Sequence, residues 1–337
     1  MRDRERVRKA VRHQEVFPVP YRLKFMPAVA ERLKEVLDLP DVDRSLGNAL
    51  VHLKMTPQPV SQEVSGGSGQ VDEFGCVWFT DKDGGPYVAG HPLADGVLDT
   101  YALPDPDWPL RFATMAAQAA EEEDRFVLFS FEWSLFERAH FLRGMEQFLV
   151  DMVLEPFKVE ALLDRILDFN LAIIDRACQS PIDGIIFGDD YGTQRGLLMS
   201  PAHWRRFLKP LLQQQFELTK EQGKVACLHS CGDVTAIVPD LIEIGLDVLN
   251  PLQPEVLDLP WLKRQYGSDL AFYGGISTQR TLPFGTPDDV RAEVQERIEI
   301  MAVHGGYIIA PGITVLADTP MENVLAFVEA VQHQEAL

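Results

Sequence analysis

The stretch Val225-Ala226-Cys227-Leu228-His229-Ser230-Cys231-Gly232-Asp233 governs how the rest of the chain is read. Its first four residues are continuously apolar rather than alternating, the mark of a buried strand. The run then breaks into Gly232-Asp233. Residues i and i+2 of a strand point to the same side, so His229 and Cys231 aim at one point at the strand's end. An imidazole and a thiol so placed are two of the four ligands that tetrahedral zinc prefers. Taken alone, the pair also fits a plainer reading, a buried cysteine and a hydrogen-bonded histidine that end a strand.

Working outward, the chain from residue 125 on alternates short apolar runs with helical patterns. The runs at 125–131, 184–187, 225–228, 248–252, 270–273 and 307–310 are expected to be strands, with 19–25 as a seventh. Between them lie amphipathic stretches such as Val290, Val294, Ile298 and Met301, spaced for one helical face. Ser200-Pro201, Thr286-Pro287 and Thr319-Pro320 each place a capping hydroxyl before a proline suited to a first helical turn. Thr319 and Glu322 also have the spacing of a capping box. Strand, short loop and capped helix in repetition mean parallel strands with crossover helices. With no glycine-rich dinucleotide fingerprint, the pattern predicts an α/β chain folded as a single (β/α)8 TIM barrel over residues 1–337. Residues 40–124 differ, being rich in Gly, Pro and Ser around Val64-Ser65-Gly66-Gly67-Ser68-Gly69, with strand-like pieces at 76–80 and 87–90. They are expected to be an insertion after the first strand, a lid over the barrel mouth.

Composition narrows the function. A formal charge of −20 disfavours nucleic acid, which needs clustered Lys and Arg. The run Glu121-Glu122-Glu123-Asp124 reads as a solvated helix end, and an anionic substrate would need a local cationic pocket. No apolar run reaches the roughly 18 residues of a membrane span. Met1-Arg2-Asp3-Arg4-Glu5-Arg6 has no apolar signal region behind it, so a cytoplasmic location is expected. Four cysteines in 337 residues do not make a disulfide framework and suit reduced, metal-binding thiols.

In a barrel the reactive groups sit at the C-terminal ends of strands. Here those ends carry Gly188-Asp189-Asp190-Tyr191-Gly192, His229-Ser230-Cys231, Asn250-Pro251-Leu252-Gln253-Pro254-Glu255 and Gly274-Gly275-Ile276-Ser277. Each is ordinary turn chemistry alone, but together they predict one site at one rim. Asp189 and Asp190 are the candidate catalytic carboxylates, each able to ligate metal, act as a base or only cap a turn. Arg22, Tyr191, Gln194, Gln253 and Gly275 are the candidate substrate-binding residues, and His229 and Cys231 the metal ligands. Glu132 and Glu137 are weaker candidates; His203 reads as a surface or packing residue and His140 as ambiguous. Arg22 and Lys24 alternate on the first strand, so they either reach the rim or pair with an acid.

Several motifs in order resemble the uroporphyrinogen decarboxylase superfamily. They are Gly188-Asp189-Asp190-Tyr191-Gly192-Thr193-Gln194-Arg195-Gly196, Ser200-Pro201 with Trp204 and Lys209-Pro210, and His229-Ser230-Cys231-Gly232. Asn250-Pro251-Leu252-Gln253-Pro254, Gly274-Gly275-Ile276 with Thr278-Gln279-Arg280, and Asp318-Thr319-Pro320 with Glu322-Asn323-Val324 complete the set. The resemblance is strong over residues 125–330 and implies a single (β/α)8 barrel. It also implies one of two chemistries. True decarboxylases need no metal and use an arginine-rich segment after the first strand. This chain has Val19-Pro20-Tyr21-Arg22-Leu23-Lys24-Phe25-Met26-Pro27 at that place, without the motif. The other branch comprises methyltransferases that act with corrinoid proteins, including those that methylate coenzyme M, and binds zinc through a His-x-Cys pair and a later Cys.

The pair matches His229 and Cys231, whereas Ile313 stands where the later Cys should fall. A third ligand would then come from Asp189, Asp190, Glu132, another rim residue or the substrate. The resemblance thus implies a zinc-assisted methyltransferase that demethylates a methoxy or methylamino small molecule and passes the methyl to a corrinoid protein. A cofactor-free decarboxylase of the uroporphyrinogen type and a metal-free ligand-binding barrel are the alternatives. Assembly as a homodimer is left open.

Overall fold

The structure, a computed structural model, describes residues 1–60, 69–81 and 85–335. The Gly- and Ser-rich run at 64–68 lies outside the described residues. In chain order the strands are β1 (Leu50–Leu53), β2 (Gln70–Val71), β3 (Val77–Thr80), β4 (Pro86–Gly90), β5 (Phe126–Phe131) and β6 (Gly184–Gly188). There follow β7 (Gly192–Thr193), β8 (Gly196–Leu197), β9 (Val225–His229), β10 (Val248–Leu252), β11 (Ala271–Ile276) and β12 (Tyr307–Pro311). Seven of them form one curled parallel sheet in the order β1-β5-β6-β9-β10-β11-β12. From β5 onward, helices connect successive strands of this sheet. β2, β3 and β4 form a separate antiparallel sheet.

Two expectations about strands are corrected. Leu50–Leu53, inside the stretch read as an insertion, is a strand of the main sheet, in register with Phe126–Phe129. Residues 19–25 form no continuous strand but make isolated parallel bridges, Tyr21 with Ile309 and Phe25 with Val315. Pro18 and Pro20 lack the N–H that a continuous ladder needs. The segment still bonds on two sides: Arg22 N–H donates to Ile309 O at 2.9 Å, and Ala49 N–H to Tyr21 O at 2.9 Å.

Helix caps follow the sequence at two of three places. Ser200 accepts from His203 N–H, and Thr286 forms a capping box with Asp289. Thr319 and Glu322 form none. Pro320 is itself the residue before helix Met321–Gln332, so Thr319 stands one position too early to cap it. The longest helix, Pro156–Cys178, buries Leu163, Ile166, Ile173 and Ala177 along one stripe against the sheet-facing core.

Strand alternation builds two layers inside the curl. Leu50, Leu128, Ile186, Cys227, Val248 and Ile308 form an apolar layer with Val7 of helix Asp3–Val11 beneath it. Each such aliphatic side chain, fully buried, contributes about 1.5–3 kcal/mol. Two residues further along each strand, His52, Ser130, Gly188, His229, Asn250 and Ala310 line a cavity of about 380 Å³. The same period that seals the base therefore lays a polar ring at the strands' C-terminal ends. Among the described residues no helix is long and apolar enough to cross a membrane.

Candidate functional site

The polar ring is built by register. His229 lies directly between Gly188 of β6 and Asn250 of β10. The Asn250 amide N–H donates to Tyr273 O at 2.9 Å, which turns its oxygen toward His229 Nδ1, 2.6 Å away. Nδ1 must then carry the proton, and the Nε2 lone pair is left free. It faces Cys231 Sγ at 3.5 Å. Asp190 closes the group: its carboxylate accepts from Cys231 N–H at 2.8 Å, and one ligand atom from each of Asp190, His229 and Cys231 lies within 4.8 Å of the others.

These donors fit a metal ion. Zn–S and Zn–N bonds of about 2.3 and 2.0–2.1 Å at a tetrahedral angle put sulfur and nitrogen about 3.5–3.6 Å apart. That matches the observed 3.5 Å. The outer hydrogen bond from His229 to Asn250 is the usual device for fixing a ligating imidazole. Burial and the neighbouring Asp190 push the Cys231 thiol up, a direction that a bound dication reverses.

The loops after β6 and β9 hold these groups by direct backbone contact. A Cβ at Gly192 would stand 2.7 Å from Cys231 O, and one at Gly232, where φ is +84°, would fall on the Gly192 carbonyl. Asp233 N–H donates to Thr193 O at 2.8 Å and Gly232 N–H to Gln253 Oε1 at 2.5 Å.

The adjacent carboxylates Asp189 and Asp190 part company. Asp189 is fully buried and accepts from the N–H groups of Leu135, Phe136 and Glu137 and from the Tyr191 hydroxyl. It satisfies the start of helix Phe136–Arg143, whose own preceding residue, Leu135, offers no side-chain cap. It is therefore no free catalytic group. Burial raises its pKa while those donors oppose the rise. Burial beside Asp190 and Asp189 also pushes the Glu137 carboxyl up.

Of the expected substrate-binding residues, only Arg22 lines the cavity. Tyr191 is buried between Phe136 and Trp204. Gln194 is exposed on the loop between β7 and β8, Gln253 supports the Gly232 backbone, and Gly275 packs near the Tyr307 hydroxyl. Glu132 lines the cavity but pairs with Lys54 at 2.8 Å. His203 caps back onto Ser200 through its N–H, and His140 packs against Phe136 and Phe141. Arg22 and Lys24 reach the cavity, and neither has a carboxylate partner among the described residues. Arg22 Nε is buried with no hydrogen-bond partner among them. Ile313 lines the same cavity.

Sequence reasoning missed His52 and Lys54, which face the cavity from the end of β1. Their i, i+2 spacing was the available signal. Burial and four neighbouring cationic or histidine side chains, Arg22 first, push the His52 imidazole well down.

The model of the uroporphyrinogen decarboxylase (URO-D) family matches residues 69–334. A methylcobamide:CoM methyltransferase, MtaA, of Methanosarcina barkeri is 34% identical over 134 residues, 40% of this chain and 37% of that protein. A uroporphyrinogen decarboxylase of Pelodictyon phaeoclathratiforme is 22% identical over 251 residues, 71% of this chain and 69% of that one. The chain thus spans well under half the length of the methyltransferase it matches. The solved structure of a methyltransferase from Methanosarcina mazei superposes with a TM-score of 0.74 at 23% identity, covering 98% of both chains, which shows a shared fold.

Proposed function

The chain belongs to the uroporphyrinogen decarboxylase family, and we propose that within it the chain is a zinc-assisted methyltransferase that moves a methyl group from a small methoxy or methylamino compound to a corrinoid protein. The observation that carries this reading is the convergence of Asp190, His229 and Cys231 on one point at the strand ends. On this reading the sheet is a (β/α)8 barrel, with residues 19–25 completing it between β12 and β1. The chain is then one domain, with much of 40–124 folded over the mouth.

Zinc held by these three residues would supply Lewis acidity at the heteroatom that carries the methyl. The chain's own residues do the rest. Asn250 fixes the His229 ring so that Nε2 stays a donor. Arg22 and Lys24 hold an anionic group of the substrate beside the donors, since both line the cavity without an ion-pair partner among the described residues and the Arg22 Nε is buried with no hydrogen bond. Asp190 takes the place of the missing later cysteine that Ile313 vacates. Because a carboxylate donates less electron density than a thiolate, this ligand set suits activation of a leaving oxygen or nitrogen better than activation of a thiol. Transfer of the methyl to the corrinoid partner would leave the bonding pair on the heteroatom, which would take up a proton from water.

The decarboxylase reading fits less well, because the segment that would grip several carboxylates offers only Arg22 and Lys24 to the cavity. Elemental analysis of protein purified without chelator tests the proposal. About one zinc per chain is expected, lost in Cys231→Ala together with methyl transfer from a methoxy compound to cob(I)alamin. A chain that transfers methyl groups equally well after Cys231→Ala, or that holds no metal when zinc is supplied, would sink it.

A further inference from the structure

A second cavity opens beside the first, and Lys54, Ser130 and Glu132 line both. Its volume is about 620 Å³, within the range of pockets that enclose a small organic molecule. One wall is a pair of indoles: Trp78 of β3 lies on Trp133, which follows β5, with ring centroids 4.7 Å and planes 28° apart. Phe79 and Phe74 extend that apolar surface. The Arg138 guanidinium sits 3.7 Å over the Phe74 ring and bonds Asp72 at 3.0 Å, so its charge is answered within the wall.

Trp133 has φ of 58°, a left-handed conformation that a bulky residue rarely takes. Such conformations persist where surrounding contacts over-determine them, and they cluster at ligand clamps. Here the Trp78 stack and an edge contact with Phe141, centroids 5.7 Å apart, hold the indole in place. Both tryptophans remain only partly buried. The two indoles cover one face of each other, Arg138 lies 5.6 Å over the Trp133 ring, and the π surface that the stack still turns to the cavity suits a flat partner.

We infer that this compartment binds a planar aromatic ring bearing the methyl–heteroatom bond. The ring lies against the Trp78–Trp133 wall, and the heteroatom points past Ser130 toward His229 and Cys231. The inference rests on the methyl-transfer reading of the metal site and names its substrate class, an aryl methyl ether or N-methyl arylamine. The chemistry agrees, because a ring conjugated to the heteroatom spreads the charge left when the methyl departs.

The test is calorimetric titration of the full chain with two probes that share a methyl ether and a carboxylate, 3-methoxybenzoate and methoxyacetate. The ring should tighten binding by about tenfold or more. Trp78→Leu should reduce that preference to about twofold or less, and Trp78→Phe, which keeps a ring, should retain most of it. Retained metal content in both variants shows that the barrel has folded. Equal binding of the two probes, or a preference untouched by Trp78→Leu, overturns the inference even in a chain that holds its metal. A ring preference in a chain whose metal content ignores Cys231→Ala would instead overturn the methyl-transfer reading and leave the aromatic compartment standing.

Discussion

Asp183 and Asp190 stand just beyond opposite ends of β6 and meet opposite fates. At the base, Asp183 accepts from Val127 N–H at 2.7 Å and pairs with Arg8 at 2.7 Å and Arg4 at 3.1 Å. At the rim, Asp190 pairs with no cation among the described residues; it accepts from the Cys231 N–H and points with an imidazole and a thiol at one spot. Cations follow the same division. Arg4 and Arg8 are answered by a carboxylate below, whereas Arg22 and Lys24 are not answered above. One strand thus carries a charge whose energy goes into holding the fold and another kept available for a ligand. The contrast teaches that the base is the stabilising end and the rim the chemical one.

Removing each carboxylate in turn is the strongest way to break this contrast. Asp190→Ala is expected to weaken metal binding more than about 100-fold while the melting temperature of the metal-free protein barely moves. Asp183→Ala should do the reverse, keeping the metal and costing about 1–3 kcal/mol, chiefly through the stranded buried N–H of Val127. Elemental analysis and calorimetric melting of both variants read the outcome; crossed results would dissolve the division. A smaller effect sharpens the rim alone. Asn250→Ala frees the His229 ring to change tautomer and should lower zinc affinity about 10- to 100-fold, measured by competition with a chromophoric chelator.

A pH dependence sharpens the base. Lys263 Nζ donates to Gly305 O just before β12, and burial pushes its ammonium down to about 8. Its folded-state value lies below the unfolded one near 10.5, so the unfolded chain binds more protons between those limits. Stability relative to Lys263→Met, read by calorimetric melting, should therefore rise as pH goes from about 8 to 10.5 and stay flat below.

Much of this was legible in the residues, for reasons that also explain the failures. β5, β6 and β9 to β12 are buried on both faces, so their apolar runs are unbroken and easily seen. β1 is four residues long, contains His52 and sits in a turn-rich stretch, so its short signal was lost. His229 and Cys231 were readable because strand geometry fixes i and i+2. Asp189 and Asp190 were not separable, since they lie in a loop where no period dictates direction and only the distant helix start at Phe136 decides which one it recruits. Tyr191, Gln194, Gln253 and Gly275 do not line the cavity, each being a residue of a rim motif with no rule for which way it faces.

The contact between Gly192 and Gly232 has an evolutionary consequence. Neither loop tolerates even a methyl group where they meet, so a change in one survives only alongside a matching change in the other. Asp190 is two positions from the first glycine and Cys231 adjoins the second. Lineages of this fold should therefore exchange these ligand-bearing loops as a linked pair, while Trp78 and Phe79 on the separate β2–β4 sheet are not bound by that link.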